Sequence, residues 1–269
     1  MRPTAQSMKG APARECVALE PNLGARTRVA LDSDGGAPAR KRTALESQDG
    51  ARESIALESN GGAPTRKRVA LGLLHEELEA CAACPKMIGP VVHGPAVVSP
   101  VLLLGQAPGP REGSFGRPFA WTAGRTMFRW FEEAIGVDEA TFRARVYMAA
   151  VARCFPGKAK GGGDRRPDAD EIQRCESWLA REAAIVRPRL VLAVGTLAIE
   201  RVLGAKLPLA DVVGTTRQAR WQDLDLDVIA LPHPSGASPW HKIEPGKTLL
   251  RRALVRLARH PAMRTAIEG

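Results

Sequence analysis

Hydrophobic positions in this chain follow two regimes, and the change comes near Leu71. From there on, short unbroken apolar runs alternate with segments whose apolar positions recur at helical spacing. Val101–Leu104 is the first run, with the length and branching of a buried strand. Arg145–Val151 (RVYMAAV), Leu190–Val194 (LVLAV) and Asp227–Leu231 (DVIAL) are the second, third and fourth. Between them, LGLLHEELEACAAC at 71–84 spaces Leu73, Leu74, Leu78 and Cys81 as a short helix ending at a Cys-x-x-Cys. AGRTMFRWFEEAIG from Ala123 places Met127, Phe128, Phe131 and Ile135 on one face. A helix opening at Asp168, with acids in its first turn where the dipole favours them, carries Cys175, Trp178, Leu179 and Ile185 and stops before Pro188. Leu197–Leu203 and the basic amphipathic stretch Gly246–His260 complete the set. Strands alternating with helices predict an α/β fold, a three-layer α/β/α sandwich around a central four-stranded, mostly parallel sheet.

The first 70 residues follow another rule. Val17-Ala-Leu-Glu20 recurs as Val29-Ala-Leu-Asp32, Thr43-Ala-Leu-Glu46, Ile55-Ala-Leu-Glu58 and Val69-Ala-Leu71, at alternating steps of twelve and fourteen residues. GGAPARKR at 35–42 has a near-copy, GGAPTRKR, at 61–68. Apolar triplets set among Gly, Pro and charge bury too little surface to offset chain entropy, and they lack the stackable face of a solenoid repeat. The expectation is a disordered low-complexity tail over 1–70 and one domain over 71–262.

Charge and cysteine usage sharpen this outline. A net charge of +10 with a pI near 9.9 suits a polyanionic partner without specifying a fold. No apolar run approaches membrane-spanning length, and the N-terminus lacks the apolar core of a signal peptide. Five scattered cysteines do not make a secreted disulfide framework, so a cytoplasmic, monomeric protein with metal-binding or structural cysteines is expected.

Three strand ends carry unusual loops: GQAPG after the first, ARCFPG after the second and LPHPSG after the fourth. In a parallel sheet such loops converge on one edge, where open α/β folds hold ligands. Cys81 and Cys84 are spaced as one helical turn, and Cys154 and Cys175 supply two further thiols. Four thiolates match a tetrahedral zinc or an iron–sulfur cluster equally well. Cys16, in the tail, is left out of this set.

GQAPG (105–109), GRPF (116–119), VARCFPG (151–157), the helix with Cys175 and HPSG (233–236) occur in an order that resembles the uracil-DNA glycosylase superfamily. The likeness covers about residues 72–260 and is nearest to its iron–sulfur branch, family 4-like with family 5-like features. It implies a monofunctional glycosylase that flips a deaminated base out of DNA and hydrolyses its N-glycosidic bond, leaving an abasic site. It implies a structural [4Fe–4S] cluster on Cys81, Cys84, Cys154 and Cys175, with zinc as the alternative. Phe119 corresponds to the aromatic on which the base stacks, and Gly105, Ala107 and Ala150 line the base pocket. His233 corresponds to the donor that stabilises charge developing on the base. Glu112 is the acid for orienting water or stabilising the sugar cation, with Gln106 beside it. Ser235 and Gly236 are expected at the phosphates, and Ser238–His241 as the wedge that fills the vacated stack, with Trp240 the inserted side chain.

The chain departs from the pattern at three places. Family 4 carries Glu where Gln106 stands and Asn where Ala150 stands. The acid that family 5 has after its GR-x-F segment is absent, since AWTAG follows. A pocket without that Asn reads its base through backbone groups, which implies wider acceptance, including uracil opposite guanine and hypoxanthine. The same substitutions define the alternative, a catalytically silent iron–sulfur DNA-binding module.

Overall fold

The computed structural model describes residues 62–236 and 238–269. The tail up to residue 61, with its repeats, its expected disorder and Cys16, lies outside the described residues.

A five-stranded sheet forms the centre, in the order β2-β1-β3-β5-β4. Its strands are β1 Val101–Gly105, β2 Tyr147–Ala150, β3 Leu190–Val194, β4 Thr216–Trp221 and β5 Leu224–Leu231. β1, β2, β3 and β5 are parallel, and β4 joins the outer edge antiparallel to β5. β1, β2 and β3 are buried at every residue, which is why they read as continuous apolar runs without alternation. One row of side chains crosses the sheet from Met148 through Leu103 and Leu192 to Ile229, and fixes the register of the core.

Helices cover both faces. α1 (Ala63–Glu79) packs on α5 (Ala169–Val186), while α3 (Thr122–Ile135), α4 (Glu139–Arg145), α8 (Gly246–Arg259) and α9 (Pro261–Glu268) pack among themselves. The short α2 (Glu112–Phe115) follows β1, α6 (Thr196–Leu203) follows β3 with α7 (Leu209–Val212) after it, and a 3₁₀ turn spans Pro239–Lys242. α5 starts as its acids predict: Asp168 accepts from the Glu171 amide and the Glu171 carboxylate accepts from the Asp168 amide, a reciprocal capping box.

The sandwich agrees with the expected class, and four details differ from the reading above. The sheet has five strands, because Thr216–Trp221 pairs with Leu224–Leu231 as a hairpin. That strand is largely exposed, so no apolar run announces it. Its turn, Gln222-Asp223, has positive φ at both residues, the requirement of a tight two-residue hairpin, here met without glycine. α1 begins at Ala63, eight residues before Leu71, and α9 runs past residue 262. Leu73 is 55% exposed, and the buried face of α1 is Leu71, Leu74, His75 and Leu78. Finally, α1 ends at Glu79, so Cys81 and Cys84 lie on irregular chain and not on a helical turn.

A buried polar cluster joins the α1–α5 layer to the sheet. The Arg153 guanidinium donates to the Glu182 carboxylate, and both side chains are essentially inaccessible. His75 Nε2 and the Tyr147 hydroxyl are 3.0 Å apart beside them. Burial, and then the charges of His93 and Arg153, lower the pKa of His75 to about 4, so it is neutral there.

Candidate active site

The loops leaving β1, β2 and β5 meet at the carboxyl edge of the sheet. β1 connects to β2 on one side while β3 lies on its other side, so this edge is a topological switch point. A pocket of about 150 Å³ opens there. All seven residues named from the sequence as catalytic or base-binding line it: Gly105, Gln106, Ala107, Glu112, Phe119, Ala150 and His233. Ser235 lines it too. An adjoining cleft of about 520 Å³ shares Gln106, Ala107, His233 and Ser235 and adds Gly195, Thr196 and Ser238.

Phe119 holds a left-handed backbone, φ 53°, which costs a non-glycine residue about 1–3 kcal/mol. Arg143, in α4, holds it there. Its Nη1 donates to the Pro118 carbonyl at 2.8 Å and its Nη2 to the Phe119 carbonyl at 3.0 Å, while Nε donates to Glu139 at 2.8 Å. The Phe119 ring then lies directly over the end of β1. A Cβ on Gly105 would stand 2.8 Å from the ring's Cζ, so only glycine allows that approach.

Glu112 is buried in the wall, and its Oε2 accepts from the Gly109 amide at 3.1 Å. Burial dominates and raises its pKa to about 7, although hydrogen bonds from the Gly109, Ala120 and Phe119 backbone partly favour the charged form. The carboxyl therefore ties the two arms of the β1 loop together and titrates near neutrality.

His233 rests on Gly195, where a Cβ would stand 3.2 Å from the imidazole Cδ2 in a backbone with φ +84°. The Ser235 amide donates to His233 Nδ1 at 3.2 Å. Nδ1 is thus an acceptor, which leaves Nε2 to carry the proton of the neutral ring. Burial lowers the pKa of His233, with Asp164 opposing and His241 assisting that shift. The result is a neutral Nε2–H donor beside the pocket.

The residues expected at DNA are less uniform. Ser235 and Ser238 line the pocket or its cleft, whereas Gly236 is an exposed turn residue outside both linings. Trp240 lines neither; its ring packs against the core and over Gly246, where a Cβ would come within 2.7 Å of ring carbon Cε3.

The four cysteines lie within electrostatic reach of one another. Cys154 is pushed up to about 11 by burial and then by Cys175, Cys81 and Cys84, which places all three in its electrostatic reach. Cys175 is also raised, mainly by burial, while the Arg153 amide and charge favour its thiolate. Among the described residues, no three His, Cys, Asp or Glu side chains are grouped closely enough to hold a metal ion. A four-thiol donor set beside a buried guanidinium fits an anionic, thiolate-ligated cluster.

Two residues escaped sequence reasoning. Arg143 is one arginine among many on helices, and nothing local marks it as the clamp on Phe119. Asp164 lines both the pocket and the cleft. Its only signal was position, after three consecutive glycines in the loop that leaves the second strand.

Fold and pocket together define an α/β protein of the ligand-at-strand-ends type, with a cavity below the roughly 300–1,000 Å³ of sites for drug-sized molecules and therefore suited to a single ring. The family model for the uracil DNA glycosylase superfamily matches residues 91–257, and the chain belongs to that superfamily. The chain is 28% identical over 169 residues to the type-4 uracil-DNA glycosylase of Pyrobaculum aerophilum, which covers 60% of this chain and 81% of that protein. It is 25% identical over 174 residues to the type-4 uracil-DNA glycosylase of Saccharolobus solfataricus, across 62% and 76% of the two chains. A shorter match, 41% over 63 residues, joins it to the type-5 uracil-DNA glycosylase of Pyrobaculum aerophilum, across 22% of this chain and 25% of that one. Both branches of the sequence resemblance are thereby represented.

Proposed function

We propose that this chain is a DNA repair glycosylase that removes uracil, and related deaminated bases, from DNA by hydrolysis and leaves an abasic site. One observation carries the reading: a ring-sized pocket brings Phe119 and a neutral His233 Nε2–H donor together at the strand ends.

Heterolysis of the N-glycosidic bond leaves negative charge on the base and positive charge on the sugar. His233 Nε2–H donates to the base oxygen on which that negative charge accumulates. A donor already oriented by the Ser235 amide and the Gly195 floor needs no reorganisation as charge develops, and single donors of this kind contribute about 10²–10³ in rate. Phe119 stacks on the flipped ring. Glu112, once ionised, and the Gln106 amide face the sugar side. The backbone around Gly105, Ala107 and Ala150 reads the base edge, and this pocket without an Asn at position 150 accepts hypoxanthine as well as uracil. Ser235 and Gly236 contact phosphates, and Ser238 begins the segment beside the vacated stack, whose Trp240 ring packs on the core.

Cys81, Cys84, Cys154 and Cys175 hold a [4Fe–4S] cluster that ties the chain after α1 to the β2 loop and α5. The donor set suits zinc equally well, and the likeness to type-4 relatives favours the cluster. The protein works as a monomer in the cytoplasm, and no described helix is long and apolar enough to cross a membrane.

The test is incubation with labelled oligonucleotides carrying uracil, hypoxanthine or no lesion, single-stranded and paired, followed by alkali and a denaturing gel. Alkali-dependent cleavage at uracil and at hypoxanthine is expected. DNA binding without cleavage at any lesion would leave the silent binding module.

A further inference from the structure

The carboxyl groups assigned so far leave one step without an agent. Gln106 carries no charge, and Glu112 is buried with an oxygen committed to the Gly109 amide. Hydrolysis still needs a carboxylate that reaches solvent and can take a proton from the attacking water.

Asp164 meets that need. The loop after β2 folds back on itself as a small hairpin, with Arg165 donating its amide to the Gly157 carbonyl and Gly162 to the Ala159 carbonyl. Lys158 and Asp164 face each other across it in an isolated antiparallel bridge. The turn delivers Asp164 to the line where the ring-sized pocket opens into the larger cleft, a boundary it shares with Gln106, Ala107, His233 and Ser235. Its two oxygens have different surroundings. Oδ1 is 2.6 Å from the Lys158 ammonium, while Oδ2 points toward the β1 loop, 3.7 Å from where a Cβ on Gly109 would be. One oxygen is held by Lys158 and the other is aimed across the opening. The side chain is 40% exposed, so water reaches it. Asp164 and His233 line the same pocket and the same cleft, and the Asp164 charge acts on the His233 ring.

Resting on the glycosylase reading, we propose that Asp164 is a catalytic residue, the carboxylate that positions and deprotonates the attacking water. The C1′–N bond breaks and its electron pair leaves with the base, whose developing charge meets His233 Nε2–H. The water oxygen bonds to C1′ from the cleft side, and its proton passes to Asp164 Oδ2. The base anion takes a proton from solvent and Asp164 returns one, so the cycle closes without any co-reactant. Lys158 keeps the aspartate in place, and it is a positioning residue.

Asp164→Asn keeps the shape and removes the base, and the comparison is single-turnover excision from a uracil-containing duplex. General-base removal predicts a rate lower by about 10²–10⁴. Affinity for a duplex bearing a tetrahydrofuran abasic analogue should stay within about threefold of wild type, since the change acts on chemistry and not on binding. Where D164N also loses that affinity, Asp164→Glu decides: a rate closer to wild type than to D164N supports the role, and a rate as low as D164N overturns it. An active wild type with an equally active D164N overturns the proposal and leaves the glycosylase reading standing. A wild type inactive on every lesion removes that reading, and this proposal with it.

Discussion

Replacing Arg143 by alanine should unlock the Phe119 wall of the pocket. The guanidinium makes hydrogen bonds to the Pro118 and Phe119 carbonyls, a third to Glu139, and lies 4.5 Å over the Phe128 ring. Hydrogen bonds to charged groups contribute about 1.5–3 kcal/mol each. Two of these acceptors are the backbone carbonyls of Pro118 and of Phe119, whose own conformation costs about 1–3 kcal/mol to hold. Relaxation of Phe119 returns part of that strain, and the partly exposed Glu139 is solvated when its partner goes. The net loss should be about 2–4 kcal/mol, which for a domain of this size lowers Tm by about 4–16 °C. Excision should fall more than stability explains, because the stacking ring no longer has one position, and lowering the temperature should not restore the rate. Calorimetry and single-turnover excision on the same preparation check both halves. A Tm within 2 °C of wild type, or full activity at a temperature where the variant is folded, would refute the idea that Arg143 holds the pocket.

Three further outcomes follow from the same geometry. Gly105→Ala puts a methyl within 2.8 Å of the Phe119 ring, and should lower excision by about 10–100-fold at little cost in stability, an expectation in line with a misplaced positioning group. Glu112 and His233 set the pH dependence. Excision should rise as pH passes through about 7 and Glu112 ionises, and E112Q should flatten that step; the stability Glu112 gives, complete below its ordinary 4.5, should fade over the same rise because its folded pKa is the higher one. His233 has the opposite sign: its pKa lies below 6.5, so the Ser235 amide–Nδ1 bond that orients the neutral ring, and the stability that ring gives, are kept above 6.5 and lost as pH falls through the lowered value. Cys154→Ser should remove the visible iron–sulfur absorbance and lower Tm; a colourless wild-type protein containing stoichiometric zinc would instead select the other metal.

How much of this was legible in the chain depends on where the information lies. β1, β2 and β3 are buried on both faces, so composition alone marks them, and the loops at their ends announce the site through Gly, Pro and His at turns. β4 exposes most of its residues and gains its pairing from β5, so its existence is a tertiary fact. Ala63–Ala70 shares its composition with the repeats before it, yet it continues the helix whose later turns bury Leu71, Leu74 and Leu78 against the domain. The seven pocket residues were found because the motifs are contiguous with strand ends. Arg143 and Asp164 were not, since the first acts across 24 residues of sequence on Phe119 and the second depends on a folded-back glycine loop. Trp240 looked like an inserting side chain because it is aromatic and near the histidine loop; its packing over Gly246 is visible only in three dimensions.

The central claim, that a neutral, pre-oriented His233 stabilises charge on a departing base, is tested most directly by single-turnover excision of uracil from duplex DNA by wild type and His233→Ala. The account predicts alkali-labile product with wild type, a loss of about 10²–10³ in rate with the variant, and unchanged affinity for an abasic-analogue duplex. Equal rates for the two proteins would contradict it.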